Sequence, residues 1–281
     1  PDIAVELGVL SGQSWLAKGW RALNKRVWRK AEKLIVLSPA MKQRIVGLCP
    51  EVEEKVHVIH SWADPKQIVP IPKNENWFAW KYGLVDKFTV LYSGNMGRCH
   101  DIDTIFEAAL RLKDEPIQFV CIGGGAKRET LIKKVEEAGL DNFLFLPYQD
   151  KAVLPYSLTA CDLSLVSVSP GMESLVAPSK VYSALASGRA IAAICPRNTY
   201  LREMLDQAQC GAAFDNGDSG ALAAFIRRLS QNKAIAKQMC EAARRYQESD
   251  FTPGGIARQY SDALHQECNV EPATVEHIGK Y

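Results

Sequence analysis

The sequence predicts an α/β protein whose larger part is a doubly wound parallel sheet. From Phe88 onward, short apolar runs rich in β-branched residues alternate with helix-patterned segments, which is typical of βαβ units. Apolar residues at helical spacing mark two of the connecting helices, over 101–112 and 218–229. Six strands are predicted, enough for one complete domain of this kind: 88–93, 118–122, 143–146, 163–168, 191–194 and 212–214.

The residues before Phe88 predict too little regular structure for a second complete domain. A helix over 14–31 leads into a strand over 34–37, a short helix that begins at Ser38-Pro39, and a strand over 56–59. We therefore expect an incomplete N-terminal α/β domain, and we expect the chain to be a fragment that lacks part of a larger cleft.

Prolines and asparagines after residue 62 indicate a connecting segment. The chain is accordingly predicted to divide into a partial N-terminal domain (1–62), an interdomain linker (63–87), a ligand-binding domain (88–252), and a C-terminal helix with a polar tail (253–281). The last helix is expected to be able to cross back toward the N-terminal domain.

Composition excludes several classes of protein and ligand. Hydrophobic residues make up 47% and charged residues 23% of the 281, which is ordinary for a globular protein and not for a disordered or collagen-like one. The formal net charge of +2 lacks the global excess of a nucleic-acid binder, so no nucleic-acid partner is expected. Eight scattered cysteines without a CxxC pair favour a reducing, cytoplasmic location, and no metal-ligand spacing is found among the histidines and carboxylates.

The most specific motif is the glycine-containing turn Ser93-Gly94-Asn95-Met96-Gly97, which follows the strand over 88–93 and precedes a helix. Glycines let backbone amides approach an anion, and a helix N-terminus favours negative charge. The turn is therefore predicted to bind phosphate. The spacing matches neither the GxGxxG fingerprint nor a Walker loop. The alternative is a tight turn whose glycines serve packing alone.

Two further segments open helices in the same way. Ile122-Gly123-Gly124-Gly125 is followed by Lys127 and Arg128, and the sequence does not decide which of these two cations faces a cleft or whether either does. A helix predicted to begin at Pro178-Ser179 and to end at Gly188 could also be a helix start and nothing more. If all three helix N-termini converge, they meet at the carboxyl edge of the sheet, where ligands of open α/β sheets bind.

The order of these motifs resembles a known family. SGNMG, IGGGAKR, FLPYQD, a buried LSLV strand and PSKVYSALASGRAI look like the C-terminal donor-binding domain of GT-B glycosyltransferases, specifically the large retaining family 4. KAEKLIVLSPAMKQRI and VHVIHSWADP resemble the end of that family's N-terminal domain, so the likeness extends over residues 1 to about 265. It implies a GT-B-like fold with a Rossmann-like C-terminal domain.

The resemblance also implies an activity. Family members move a sugar from a nucleotide-diphosphate donor, here UDP- or GDP-linked, to a glycan or lipid-linked acceptor with retention of configuration, as in polysaccharide biosynthesis. No metal and no cofactor beyond the nucleotide sugar is implied. The partial domain over 1–62 would then lie on the acceptor side and the domain over 88–252 would bind the donor.

Site residues follow from the same resemblance. The donor diphosphate would be bound by Gly94, Asn95, Gly97, Arg98, Lys127, Ser179 and Lys180. The base, ribose and sugar would be bound by Gly123, Pro147, Tyr148, Gln149, Glu173 and Ser183. No catalytic residue is assigned.

The chain also departs from the family pattern. Leu175 and Ser183 stand where the family has two glutamates eight residues apart, so Ser183 is the expected weaker substitute for the ribose contact and Glu173 an expected sugar contact. Asn95 and His100 stand nearest to the family's two cations after the first strand, which leaves Arg98 as the local positive charge.

The segment Trp15–Lys30 supports a separate hypothesis. It has six Lys and Arg residues and no acidic residue, interleaved with three tryptophans, Leu23 and Val27. A basic helix of this type can lie on anionic lipid, so peripheral contact with the inner face of a membrane is predicted. The alternative is that the tryptophans and leucines are core and the cations are a solvated face.

Three rival functions stay open at this point. A nucleotide-sugar epimerase of the same architecture would need acidic groups over the sugar carbon. A non-catalytic module that binds a nucleotide or glycan is consistent with the missing glutamates. An NAD oxidoreductase is disfavoured by the glycine spacing.

Overall fold

The computed structural model describes residues 2–265, and the predicted polar tail lies outside the described residues. Its first part contains a two-stranded parallel sheet. In chain order the elements are α1 (Asp2–Glu6), α2 (Trp15–Lys30), β1 (Leu34–Val36), α3 (Pro39–Leu48), a 3-10 turn (Pro50–Lys55) and β2 (Val56–Val58). β1 pairs with β2. As the sequence predicts, the Ser38 side chain caps α3 by accepting the Met41 amide at 3.2 Å.

The second part is built on a six-stranded sheet in which every neighbouring pair is parallel. The strands are β3 (Phe88–Ser93), β4 (Ile117–Ile122), β5 (Phe143–Leu146), β6 (Leu163–Ser167), β7 (Ala190–Ile194) and β8 (Gly211–Phe214). Their order is β5-β4-β3-β6-β7-β8. The predicted doubly wound sheet is therefore confirmed, and no predicted strand end is wrong by more than one residue.

Helices connect these strands and cover both faces. They are α4 (Trp77–Lys81), α5 (Asp103–Leu110), α6 (Arg128–Glu137), α7 (Leu154–Thr159), α8 (Lys180–Ala186), α9 (Tyr200–Ala208), α10 (Ser219–Gln231), α11 (Lys233–Asp250) and α12 (Pro253–His265). Along β3, Val90 and Tyr92 join the apolar cluster that contains residues of α5 and α10, whereas Leu91 joins the one under α4. This alternation buries both faces of the sheet.

Two predicted helix boundaries are wrong for local reasons. The helix expected over 101–112 is shorter, because the Asp101 side chain accepts the Thr104 amide and hydroxyl and so lies before the first turn. The helix expected to begin at Pro178-Ser179 begins at Lys180, since the preceding bonds, Val181 N to Pro178 O and Tyr182 N to Ser179 O, are of the tighter 3-10 type.

The segment 63–87, predicted as a linker, contains α4 as well as irregular chain. Phe78 and Ala79 of this helix are buried against the sheet, and the fully buried Asn76 caps it. At the other end of the chain, Ile256 of α12 shares an apolar cluster with Ile59 of the first part. The division into domains at residues 62, 87 and 252 stays a prediction.

Among residues 2–265, no helix combines the length and the apolarity needed to cross a lipid bilayer.

Asn76 generates a prediction on stability. Its side-chain amide donates to the Tyr156 carbonyl (2.8 Å) and the Thr159 hydroxyl (3.0 Å), while its oxygen accepts the Phe78 amide (2.9 Å). Asn76→Ala removes a helix cap and leaves buried groups unpaired, so we expect the free energy of unfolding to fall by about 2–4 kcal/mol. Urea denaturation followed by circular dichroism measures the loss.

The matched control is Asn232→Ala. Asn232 caps α11 through the Ile235 amide in the same way but is exposed, so only about 1 kcal/mol should be lost. Equal losses in the two variants would contradict the role given to burial of Asn76.

Candidate functional site at the carboxyl edge of the sheet

The sheet has a single reversal of strand order, between β3 and β6. The chain proceeds outward from β3 through β4 to β5 and then returns to β6, from which it proceeds in the opposite direction. The loops that follow β3 and β6 therefore part at the carboxyl edge and leave a crevice. They remain joined at its floor, where the Ser169 amide donates to the Cys99 carbonyl at 2.9 Å.

The glycine turn after β3 lies in this crevice. Gly94 has a φ of +121°, and a Cβ at this position would lie 2.8 Å from Cε of Lys180. Gly97 faces the Asn95 side chain, which a Cβ would approach to 2.9 Å. Arg98 is exposed at the rim. Glycine is thus required at Gly94 both by backbone conformation and by the passage of the lysine stem.

The glycine turn after β4 interlocks with the first one. Gly123 has a φ of +125°, and a Cβ there would lie 2.3 Å from the Gly94 carbonyl oxygen. The Met96 amide donates to the Gly124 carbonyl at 2.7 Å, and the Lys127 amide donates to the Met96 carbonyl at 2.9 Å. The two turns therefore touch through backbone atoms, and the side chains of Lys180, Asn95 and Tyr148 pack against their glycines.

Lys180 supplies the cation of the crevice. Its ammonium group donates to the Tyr92 hydroxyl and to the Asn95 carbonyl (2.9 Å) and lies 3.9 Å from the centre of the Tyr92 ring. Within the described part of the chain, no carboxylate forms an ion pair with it. Burial lowers the pKa of Lys180 to about 7. An incoming anion would provide the missing counter-charge.

The predicted convergence of three helix N-termini is realised only in part. The N-terminus of α5 is already occupied, since the buried Asp101 carboxylate accepts the Thr104 amide. The α8 helix opens at Lys180 beside the crevice, and the preceding Ser179 is exposed and forms no side-chain cap. The positive field of the site therefore comes from the lysine rather than from three helix dipoles.

The two cations that the sequence left undecided take different places. Lys127 donates its ammonium group to the His100 carbonyl at 2.6 Å and so holds the loop after β3. Arg128 pairs with Glu129 at 3.1 Å and lies 5.9 Å from the centre of the Phe145 ring. Lys127 is the one that reaches the crevice loop.

Sequence analysis left two contributors out of the candidate set. Tyr92, the next-to-last residue of β3, donates its hydroxyl to the Asn95 carbonyl at 3.0 Å, and an aromatic residue with a polar tip beside the glycine turn was the signal in the sequence. His100 is half-buried and donates Nδ1–H to the Ser167 carbonyl at 2.8 Å. Burial, together with the charge of Lys180, lowers the pKa of His100 and keeps its ring neutral at pH 7.

The residues predicted for the base lie at the far end of the same edge. The Gln149 side chain donates to the Pro147 carbonyl at 2.8 Å, and Tyr148 is 62% exposed. A Cβ added at Gly123 would lie 3.1 Å from the Tyr148 ring. The two glycine turns and the loop after β5 therefore form one surface.

The residues predicted for the ribose and the sugar are less well placed. The Ser183 hydroxyl donates to the Lys180 carbonyl of its own helix at 3.0 Å. One carboxylate oxygen of Glu173 accepts from Asn198 at 3.2 Å, and the other is buried without a hydrogen-bond partner among the described residues. Because that oxygen is buried, neither Ser183 nor Glu173 presents a free side-chain group at the surface for a sugar hydroxyl.

A cavity of about 1120 Å³ opens at the opposite, amino edge of the sheet. Its cations are engaged in holding the fold: Lys73 pairs with Asp162 at 2.7 Å and Arg227 with Glu115 at 2.6 Å. Arg189 donates to three backbone carbonyls. The candidate site is therefore assigned to the carboxyl edge, where Lys180 has no carboxylate partner among the described residues. Residues 2–265 contain no group of three potential metal-ligating side chains.

Comparison with curated proteins gives two relatives. The chain is 29% identical over 238 residues to the probable glycosyltransferase WbjE of Pseudomonas aeruginosa. The aligned region covers 82% of this chain and 58% of that protein. It is 39% identical over 103 residues to the putative colanic acid biosynthesis glycosyl transferase WcaI of Escherichia coli K12, covering 37% of the chain and 25% of that protein. The chain thus spans little more than half the length of the longer match.

Comparison with solved structures supports the fold. The Anabaena protein Alr3699/HepE, crystallised with UDP and glucose, superposes with a TM-score of 0.75 at 17% identity, covering 87% of this chain and 67% of that one. This confirms the predicted GT-B-like, Rossmann-like α/β architecture. The sequence profile of the family described as Glycosyl transferases group 1 matches residues 76–246, more than half of the chain. The chain with the interlocked glycine turns and the unpaired Lys180 therefore belongs to the glycosyl transferases group 1 family.

Proposed function

We propose that this chain binds the donor in a glycosyltransferase that moves a sugar from a UDP- or GDP-linked donor to a glycan or lipid-linked acceptor. The observation that carries the proposal is the ammonium group of Lys180, which lies without a carboxylate partner between backbone-lined turns at the switch point of the sheet. A diphosphate is an anion that this ammonium group and the free amides of the glycine turn could bind together. The relatives named as glycosyltransferases and the neighbour crystallised with UDP and glucose support this assignment.

The geometry is suited to stabilising a leaving diphosphate. As the glycosidic bond to the donor lengthens, negative charge grows on the phosphate oxygens while positive charge grows at the anomeric carbon. Lys180 can donate to those oxygens, and the amides of Asn95 and Gly97 donate to no other acceptor within the described residues. Such preorganised donors stabilise the charge without rearranging.

The reaction proposed is transfer with retention, without a metal or a cofactor beyond the nucleotide sugar. The departing phosphate takes the proton of the acceptor hydroxyl, which attacks the face from which the phosphate leaves. Glu173 is the proposed contact to the sugar, and Ser183 is the proposed contact to the ribose. Product analysis tests this: a new glycosidic linkage supports transfer, an epimerised free sugar indicates the rival epimerase, and no product indicates a binding module.

We further propose that α2 contacts an anionic membrane surface, at the cytoplasmic face where a lipid-linked acceptor would be presented. Trp15 is 79% exposed, and Leu16, Trp20, Leu23 and Val27 are each more than half exposed. Within residues 2–265 these side chains do not form core, although Trp28 packs against the cluster of β1 and β2, and the alternative of a core position in a longer chain stays open. An exposed apolar stripe flanked by cations is what an interfacial helix requires.

The role of Lys180 can be tested by calorimetric titration of the protein with UDP, GDP and ADP. Lys180→Ala removes a charge-assisted contact to phosphate, so we expect the affinity for the preferred nucleotide to fall about 10- to 150-fold. Gly94→Val should also weaken binding, because its side chain would collide with the lysine stem.

Lys133→Ala is the control for this experiment. Lys133 forms an exposed pair with Glu137 on α6, so its removal should leave nucleotide affinity unchanged. The site assignment fails if Lys180→Ala and Gly94→Val bind the preferred nucleotide as well as the unaltered protein.

The lowered pKa of Lys180 predicts a pH dependence of binding. With a pKa of about 7 in the free protein, the amine is protonated below pH 7 and becomes neutral above it. A bound diphosphate raises that pKa, so binding above pH 7 takes up a proton and the dissociation constant should rise up to about tenfold per pH unit between pH 7 and 9. His100, whose pKa is lowered, stays neutral in this range.

Titrations at pH 7, 8 and 9 in buffers of different ionisation enthalpy measure both the affinity and the proton uptake. Lys180→Arg keeps its charge throughout, so its dissociation constant should not change over the same range. A slope that persists in Lys180→Arg would show that another group is responsible.

Vesicle sedimentation tests the membrane contact. Replacing Lys18, Arg26 and Lys30 with Gln should weaken binding to vesicles containing phosphatidylglycerol by about 100-fold, at roughly 1 kcal/mol for each cation. Lys233→Gln with Lys237→Gln on α11 provides a control with exposed cations but no tryptophan stripe. Binding that survives the three substitutions in α2 would refute the electrostatic contact.

A further inference from the structure

The cavity at the amino edge of the sheet is large enough for a ligand of its own. Its volume of about 1120 Å³ is at the upper end of the range for small-molecule sites. It lies where β3, β4, β6 and β7 begin, between the segment before α4 and the start of α11. Because β3 has six residues, about 17 Å of sheet separates this cavity from the crevice at the carboxyl edge. A ligand bound here would not overlap the crevice.

Positively charged side chains predominate in the lining. Six Lys and Arg residues line the cavity together with three carboxylates, although the whole chain has a formal net charge of only +2. The cations are Lys73, Lys87, Arg189, Arg227, Lys233 and Lys237, and the acids are Asp86, Glu115 and Asp162. A neighbouring cavity of about 420 Å³ shares Arg189 and Lys237 and adds two arginines and one glutamate, so the positive excess continues beyond the first cavity.

Ion pairs neutralise only half of these six cations. Lys73 and Arg227 are paired with two of the acids of the lining, and the ammonium group of Lys237 lies 3.8 Å from Glu241 on the same helix. The remaining acid, Asp86, is exposed and forms no ion pair among residues 2–265.

The other three cations, Lys87, Arg189 and Lys233, pair with no carboxylate in the described part of the chain. Lys87 donates to the neutral side-chain oxygen of Gln118 at 2.9 Å, and Arg189 donates only to backbone carbonyls. The Lys233 side chain has no hydrogen-bond partner within residues 2–265. Three positive charges therefore meet one unpaired carboxylate in this cavity, and an anion would balance them.

Much of the remaining wall is apolar or carries uncharged amides. Val85, Phe88 and Pro116 contribute apolar surface. The side-chain amides of Asn74 and Gln231 form no hydrogen bond with the described residues. A wall of this kind suits an organic molecule that has an apolar body and a charged head, rather than a bare inorganic ion.

We propose that the amino-edge cavity is a second binding site, for a small organic anion with a phosphate or carboxylate head. Lys87, Arg189 and Lys233 supply the positive charge for the head, and the apolar wall contacts the body. Because the site shares no residue with the crevice, it does not rest on the proposed function. A bound anion would also connect the segment before α4 to the start of α11, since both line the cavity.

Calorimetry with phenyl phosphate, benzoate and inorganic phosphate tests the site. The titrations are made on the unaltered protein and on Lys180→Ala, in which the crevice has lost its cation. Both proteins should bind an organic anion more tightly than inorganic phosphate, because only the organic ligand contacts the apolar wall. Preference for phenyl phosphate or for benzoate identifies the head group as phosphate or carboxylate.

Substitutions in the cavity make the result specific. Lys87→Gln with Lys233→Gln should weaken binding about 10- to 100-fold, since two charge-assisted contacts are lost. Lys233→Glu should weaken it as well, and because an acid in the first turn of α11 favours the helix, that loss would not result from unfolding. Lys18→Gln with Lys133→Gln removes the same charge from two exposed lysines outside the cavity and should leave the affinity unchanged.

Three results would overturn the site: neither organic anion binds at millimolar concentration, binding disappears in Lys180→Ala, or the double substitution of Lys87 and Lys233 leaves the affinity unchanged. Failure of the unaltered protein to bind UDP, GDP or ADP would instead overturn the proposed function and leave this site standing.

Discussion

The candidate site depends on one constraint of the sheet, the reversal of strand order between β3 and β6. Because the chain leaves these neighbouring strands in opposite directions, the loops that follow them diverge at the carboxyl ends and leave a gap. Everything else in the site is arranged around that gap: a glycine turn on one side, the start of α8 on the other, and a lysine that reaches from α8 to the carbonyl of Asn95. Without the reversal, a ligand could not reach Lys180, and Lys180 would not be kept apart from carboxylates.

The isolation of Lys180 has an energetic meaning. Taking an ammonium group out of water is unfavourable, and a fold that needed the lysine only for stability would place a carboxylate beside it, as it does for Lys73 and Asp162 at the opposite edge. Here the partners are a tyrosine hydroxyl, a carbonyl and an aromatic ring, all neutral. The free protein thus keeps the charged form of Lys180 without a counter-ion, which costs free energy. An anionic ligand would supply that counter-ion.

The sequence was sufficient to predict the strands of the sheet, but it did not predict in which direction the side chains of the site extend. Strands buried on both faces are continuous apolar runs, and so all six could be located within a residue. The long α11 was missed although Ile235, Met239 and Ala243 stand at helical spacing on the face that packs against the core; only Ala243 and Gln247 are fully buried along it. The turns and Lys180 could be named from local pattern, but the paths of Lys127 to His100 and of Tyr148 onto Gly124 depend on chain segments more than twenty residues apart, which no local pattern records.

Lys180 also has a consequence for chemical reactivity. An amine with a pKa of about 7 is half uncharged at neutral pH, and an uncharged amine is a nucleophile, whereas an ordinary lysine is almost wholly protonated there. The crevice therefore exposes to anionic carbonyl compounds an amine that can form an imine with them. A phosphate-bearing aldehyde would label this lysine selectively, and an occupied crevice would shield it.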